Sequence, residues 1–446
     1  MKKFMVALVV FAITCFSVTA FAADVSVGGS YEIRSRDFNG LNMYKDAPAS
    51  ASGDQRDTQT RIRIDLNAKA SDVLKGKLQL ESDFGTGASD WGTSGNGLST
   101  LGFETYSKSG ASMGFREAWV LFQLPGLPVV VKGGHQLLQL GNGWFFRSQH
   151  YGSDAWVVFS EMGKNYLGFV NVKVSEGASV ASADDADAYV ILDTYKINDN
   201  NKVGFDFTML KDRRDSLGFA SAGNSTDMQN LGLNYNGKLG PVALKAQLDF
   251  QMGKAKAAGL VTAGQDAKFK GNQIVLEGSM PMDALTINFW LARGSGYKAN
   301  DADYKNMVTF LDIDPHYTFL YEYKINTAAG LKNTGFANTT ALGLGAMFAA
   351  SKNLSVGGNL WYLKATEKTN VAGNFGTNFA YGAPDDAIGY EIDLMLNWKL
   401  YDNLTWNWVA GYFAPGDVYK GTYTPTGQEA GTEATTGIQG ILSYKF

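Results

Sequence analysis

The residues able to do chemistry are few and widely spaced. Glu391 and Asp393 lie two apart, so on a strand they point the same way. A pair of carboxylates can run glycoside hydrolysis. The reading favoured here is plainer: two wetted acids on the wall of a pore. Of the histidines, His135, His150 and His316, none stands at metal-ligand spacing from another. No Ser–His pair with an orienting partner can be picked out. Asp184, Asp185 and Asp187, with Asp301 and Asp303, make acidic loops, but they lack the periodicity of a calcium-binding loop. The single cysteine, Cys15, falls in a leader-like segment, which leaves the rest of the chain without disulfides, thiol catalysis or cysteine-bound metal. Neither a phosphate loop nor a haem-attachment motif is present. The sequence therefore predicts no enzyme, no cofactor and no metal site.

What must position the charged residues is a series of alternating segments. The last, Thr436 to Phe446, sets Ile438, Gly440, Leu442, Tyr444 and Phe446 against Gly437, Gln439, Ile441, Ser443 and Lys445. Alternation of this kind marks a strand with one apolar and one wetter face. A strand that finishes on an aromatic suits an outer-membrane barrel. There the last strand pairs with the first, and the terminal ring sits at the membrane interface. Similar segments begin near Val25, Thr60, Leu74, Ala118, Val129, Asp154, Tyr166, Ala188, Lys202, Met228, Val242, Gln273, Leu285, Thr339, Leu354, Ile388, Leu404 and Thr435, eighteen in all. The segment at Val129, VVVKGGHQLLQL, alternates too poorly for its faces to be assigned.

Turns and loops alternate too. Short connections fall near 70–72, 125–128, 163–164, 198–201, 237–241, 281–284, 351–353 and 401–403. Between them lie longer stretches rich in Gly, Ser, Ala and Asp, at 38–57, 85–112, 139–152, 175–186, 212–226, 255–267, 295–336, 365–385 and 414–432. The pattern predicts an all-β fold: a transmembrane antiparallel β-barrel of about 18 strands, with tight periplasmic turns, long external loops and periplasmic termini. Residues 1–22 read as a signal peptide, with Lys2 and Lys3, an apolar run and Ala20-Phe21-Ala22 as the cleavage site. Residues 23–446 read as one barrel domain in the outer membrane of a Gram-negative cell. The net charge of −4 across 446 residues implies no nucleic-acid partner. The expected partners are outer-membrane lipid and lipopolysaccharide, the barrel-insertion machinery through the strand ending in Phe446, and small solutes or an anionic polymer.

A barrel this wide cannot fill its interior with side chains alone. The apolar set, such as Leu394, Leu396 and Trp398, is therefore expected to face lipid and the polar set a wet lumen. The expected pore-lining residues are Arg34, Arg61, Arg63, Asp65, Lys75, Lys77, Glu81, Glu117, Asp206, Lys245, Asp249, Glu391, Asp393 and Lys399. Lys173 and Glu277 are placed on the same side. Both signs are present, which implies weak ion selectivity or a transverse field across the bore. The densest cationic group, Arg34, Arg61, Arg63, Lys75 and Lys77, can form either a basic ladder or neighbouring cross-strand ion pairs. Passive passage of small hydrophilic or anionic solutes is expected, with the loop at 85–112 or 295–336 folding inward to narrow the bore.

Several stretches resemble the alginate-export family of outer-membrane barrels. They are YEIDLMLNWKLYDNLTWNWVAGYFAPGD (Tyr390 to Asp417), GGHQLLQLGNGWFFRSQHYGSDAW (Gly133 to Trp156) and NFWLARGSGY followed by FLDIDPHY. The resemblance implies an eighteen-strand monomeric pore, lined by basic residues, that exports an anionic polysaccharide. It carries the family's acidic pair onto Glu391 and Asp393. The arginine of the family's G-R-Q strand falls on His135, a departure, because neutral histidine cannot hold a carboxylate as a fixed cation does. Export of an acidic polymer stands as one alternative to a diffusion channel. A barrel that sheathes a partner protein is another.

Overall fold

The computed structural model describes residues 23–43, 53–85, 112–176, 185–213, 217, 219–220, 224–260, 262–296, 298, 300–311, 317–325, 335–369, 379–423 and 427–446. The expected leader, His316, Asp184 and most of the 85–112 loop lie outside them. Eighteen long strands form the wall. They are β1 (Asp24–Asn39), β2 (Gln55–Ser71), β3 (Leu74–Gly85), β4 (Ser112–Gln123), β5 (Val130–Gln139) and β6 (Phe146–Met162). Next come β7 (Asn165–Ser175), β8 (Ala186–Asn198), β9 (Asn201–Asp212), β10 (Thr226–Leu239), β11 (Val242–Ala255) and β12 (Asn272–Met282). The remainder are β13 (Leu285–Gly294), β14 (Thr339–Ala349), β15 (Leu354–Thr369), β16 (Asp385–Tyr401), β17 (Leu404–Pro415) and β18 (Thr435–Lys445).

Every neighbouring pair of these strands is antiparallel, and β1 pairs with β18 from Ser30↔Lys445 to Asn39↔Thr436. The Gly29 and Phe446 backbones complete the seam, each amide donating to the other's carbonyl, at 3.0 and 3.1 Å. The ring has no free edge, which is the condition for strands to sit in hydrocarbon. Connections of two to six residues lie at the end that holds the termini; at the other end all are longer except the six-residue 140–145 connection.

Alternation decides the two faces. Outward residues stay exposed: Leu394 63%, Ile392 48%, Leu344 58% and Trp398 43%. Tyr401, Tyr412 and Tyr444 are exposed near strand ends, as an interfacial girdle requires. The inner face differs from the expected wet lumen. Toward the long-loop end it is apolar and buried at Val170, Val172, Val190, Leu210, Met228, Trp361, Leu363 and Phe413. Two connections fold into the bore and cover it. Residues 140–145 bring in Leu140, Trp144 and Phe145. The β13–β14 connection brings in Met307, the Tyr317–Ile325 segment and Phe336. Its Phe310–Leu311 pair lies parallel to the start of β6 at Phe146–Arg147. Trp144, Tyr317 and Phe336 stack with ring centroids 4.3–6.4 Å apart, and Tyr317 reaches Trp361 at 5.6 Å. Backbone, not side chains alone, fills the width.

Closure is testable across the seam, where Ile33 stands opposite Leu442. Ile33→Cys with Leu442→Cys should cross-link under mild oxidation into a species that still shows the heat-dependent gel mobility of a folded barrel. Absence of the cross-link in protein that is otherwise folded would count against the ring.

Candidate functional site

All fourteen residues expected to line the pore fall on the inward parity of their strands, but they form four separate groups. The first is a charged wall on β1–β4. Glu32, Arg34 and Arg36 alternate along β1. They lie opposite Arg61, Gln59 and Asp57 on β2, and Arg61 and Arg63 lie opposite Asp83 and Glu81 on β3. The pairing produces a ladder of close contacts: Arg36 to Asp57 at 2.8 Å, Arg61 to Asp83 at 2.8 Å and Arg63 to Glu81 at 2.5 Å. Lys77 reaches Glu117 at 2.6 Å and Asp65 at 3.2 Å. Arg34 donates to Gln59 and to the Tyr323 hydroxyl. The two sequence readings of this cluster thus coexist. It is a ladder, and its rungs are cross-strand ion pairs.

Four charged residues on this side escaped the sequence reading. Arg36 and Asp57 are nearly fully buried near the strand ends, and Asp57 fell in the stretch read as loop. Arg116 sits at a bulge between the Gln79 and Leu80 pairings. The extra residue turns it inward, where it donates to Gln79 and to the carbonyls of Gln149 and His150. Lys132 on β5 lies over the Trp119 ring at 4.1 Å. The named cations Arg34, Arg36, Arg61, Arg63, Lys77, Arg116 and Lys132 outnumber the named carboxylates Glu32, Asp57, Asp65, Glu81, Asp83 and Glu117 by one. Desolvated pairs of this kind add little net stability, but losing one partner costs about 3–5 kcal/mol because the other charge is stranded.

The second group is Glu391 and Asp393 on β16, and here the expectation of wetted acids fails. Both are sealed, at 0% and 2% exposure. Glu391 accepts hydrogen bonds from the backbone amides of Leu320 and Tyr321 at 2.6 and 2.8 Å. Those amides open the single π-helical turn Tyr321–Ile325, so the carboxylate satisfies donors that the turn itself cannot pair. On the opposite side of the turn, Arg34 and Arg36 both donate to the Tyr323 hydroxyl, at 2.8 and 2.7 Å. Lys324 donates to Gln55 and lies over the Phe38 ring. The turn is held from β16 on one side and from β1–β2 on the other.

The third group is Asp206 on β9 and Asp249 on β11, both buried. Asp249 accepts from the side-chain amides of Asn230, Gln247 and Gln273 at 2.7–3.0 Å. Gln247 also accepts from the Asn142 backbone amide, and Glu277 from the Trp144 indole at 2.6 Å, so this wall anchors the 140–145 loop. The fourth group is exposed. Lys75, Lys245 and Lys399 stand near the short turns, where Lys399 pairs with Asp402.

One placement is corrected, and one left open is settled. Lys173 shares the outward parity of Phe169 and Ile191, and it pairs with Asp185 and Asp187 at the long-loop rim. His135, the position matched to the G-R-Q arginine, also faces outward, bonded to Asp154 at 2.8 Å beside exposed Trp156. The weak alternation of β5 hid its parity.

These features define a closed, eighteen-strand antiparallel barrel of the outer-membrane porin type, narrowed from within by its own loops. Solved structures of the same architecture come from Pseudomonas aeruginosa. OccK9 (OpdG) matches with a TM-score of 0.55 at 13% identity, over 94% of this chain and 98% of that one. OpdK with vanillate matches at 0.54 and 10%, over 94% and 98%. OccK2 (OpdF) in complex with glucuronate matches at 0.53 and 12%, over 95% and 96%. A further match of the same architecture is the outer membrane protein OpdK, from the same organism. No protein-family model and no curated protein sequence matches the chain.

Charge-assisted bonds like those from Leu320 and Tyr321 contribute about 1.5–3 kcal/mol each. Glu391→Ala should therefore loosen the turn and raise single-channel conductance in planar bilayers, with the barrel still folded. Removing Tyr317–Ile325 should raise it further. Wild-type conductance in both would show that this segment does not narrow the path.

Proposed function

We propose that the chain is an outer-membrane channel for the passive diffusion of small hydrophilic solutes, anions among them. The observation that supports it most is the division of the bore. An arginine-rich wall on β1–β4 and a carboxylate wall on β9–β11 lie about half-way round the ring from each other. Inward loops occupy the space between. Guanidinium groups present paired donors that match a carboxylate, and the low-dielectric walls focus the field on any solute between them. Small carboxylates are the class this wall suits, consistent with neighbours solved with glucuronate and with vanillate. The strand ending in Phe446 is the segment the insertion machinery would read.

Export of an acidic polymer is disfavoured by the same geometry. A chain of sugars would have to displace both inward segments, each anchored to the wall by buried hydrogen bonds. A barrel sheathing a partner protein would meet the same obstacle.

Reversal potentials in a salt gradient test the reading. The wild type should show a modest anion preference. Arg63→Gln with Arg116→Gln should shift the permeability ratio toward cations by about twofold or more. A wild type that conducts nothing, or a ratio unmoved by the two changes, would oppose it.

A further inference from the structure

Beneath the inward 140–145 loop lies a cavity of about 450 Å³, open between β5 and β10. Lys132 lines one side and Asp206 the other. Asp206 is only 3% exposed, and its Oδ1 has no hydrogen-bond partner. Among the described residues no cation forms an ion pair with it. Lys202 shares its strand face but stands four residues nearer the short-turn rim, roughly 13 Å along the strand. Thr208 Oγ1, buried in the same cavity, is also without a partner.

The surroundings make this more than a lone acid. Asp206 leans over Gly232, where a Cβ would come within 2.4 Å of its carboxylate. Across that glycine is Asp249, in register with it through β10. Asp249 has both oxygens engaged by amide donors, and none of those donors is shared with Asp206. On the Asp206 side, toward the cavity, no cation among the described residues stands at ion-pair distance, although Lys132 and Lys202 line the same space further off. Phe159, Val170, Val190 and Leu192 form an apolar strip of the wall, while Lys202, Thr194, Asn234 and Asn236 line the cavity toward the short-turn rim. Leaving a carboxylate buried and unpaired is costly, and a cation arriving there removes that cost.

We infer that this cavity is a binding subsite for a primary ammonium group carried on a short apolar chain, with Asp206 as the counter-ion and the Thr208 hydroxyl as a further acceptor. The inference rests on the channel reading and adds a second polarity to it. A bare metal ion fits less well, because half the cavity wall offers it no oxygen ligand.

The test uses the full chain in planar bilayers, with hexylammonium, its neutral counterpart hexanamide, and calcium as probes. Hexylammonium should block the current in a concentration-dependent way, and hexanamide should not. Asp206→Asn, of nearly the same shape, should raise the half-blocking concentration about tenfold, the scale of one lost charge–charge contact in a partly dry site. Thr208→Val should raise it severalfold, and it keeps the test decisive if the first variant does not open. Equal block of both variants and the wild type would overturn the subsite. So would block by hexanamide, or block by calcium alone. A wild type that conducts but is never blocked defeats the subsite only, whereas one that never conducts defeats the channel reading.

Discussion

The constraint on which the rest depends is the seam between β1 and β18. In hydrocarbon an unpaired backbone group costs several kcal/mol, so a sheet can cross a bilayer only if it has no edge. Once Ser30 to Asn39 pair with the closing strand, the parity of every strand is fixed relative to one lipid-facing surface. Leu394 and Trp398 then have nowhere to point but outward, and Glu391 and Asp393 nowhere but in. The division into an oily exterior and a charged interior follows from hydrogen-bond closure and a two-residue period.

Closure creates a second problem, because a ring of this size encloses more space than its side chains fill. The chain answers with backbone. An inward loop brings amides and carbonyls that need partners, and the wall supplies them: Glu391 for Leu320 and Tyr321, Gln247 for Asn142, Gln251 for Val308. The wall's acids and amides thus serve as anchors as much as lining. That explains why residues of lumen parity such as Asp249 and Glu391 are dry. It also explains why the inner face under the loops is apolar, since Trp144, Tyr317 and Phe336 need something to pack on.

The strands were legible because period-2 alternation is set by the pleat and needs no tertiary information. Each of the eighteen starting points read from the sequence falls in or beside a strand of the ring. The loops were legible only in part: 295–336 reads as one of two stretches able to fold inward, whereas 140–145 has no period to betray it. The signal in both was composition. Trp144-Phe145-Phe146 and Tyr317, Phe319, Tyr321, Tyr323 put bulky aromatics into stretches that a solvated loop would fill with small polar residues. Local irregularities defeated the remainder. The bulge at Arg116 rotated a cation into the ladder. The weak alternation of β5 left its faces unassigned, and the structure shows His135 facing outward in regular register with Asp154.

The two walls differ in a way that bears on transport. On β1–β4 the carboxylates Asp57, Asp65, Glu81, Asp83 and Glu117 are each matched to a cation at ion-pair distance, with cations in slight excess. On β9–β11 Asp249 is held by neutral amides, and among the described residues Asp206 has no ion-pair partner, so no adjacent cation cancels charge there. Amide donors stabilise a carboxylate while leaving its field intact at a distance, whereas an adjacent guanidinium cancels much of it. The basic wall therefore acts at short range, through directed hydrogen bonds exchanged from one rung to the next. The acidic wall acts through a field that no adjacent cation cancels, across a cavity about the size of one small solute. A solute crossing between them would be oriented by the second and handed along by the first. On the channel reading proposed above, a bore only as wide as its own loops allow would discriminate in this way without closing.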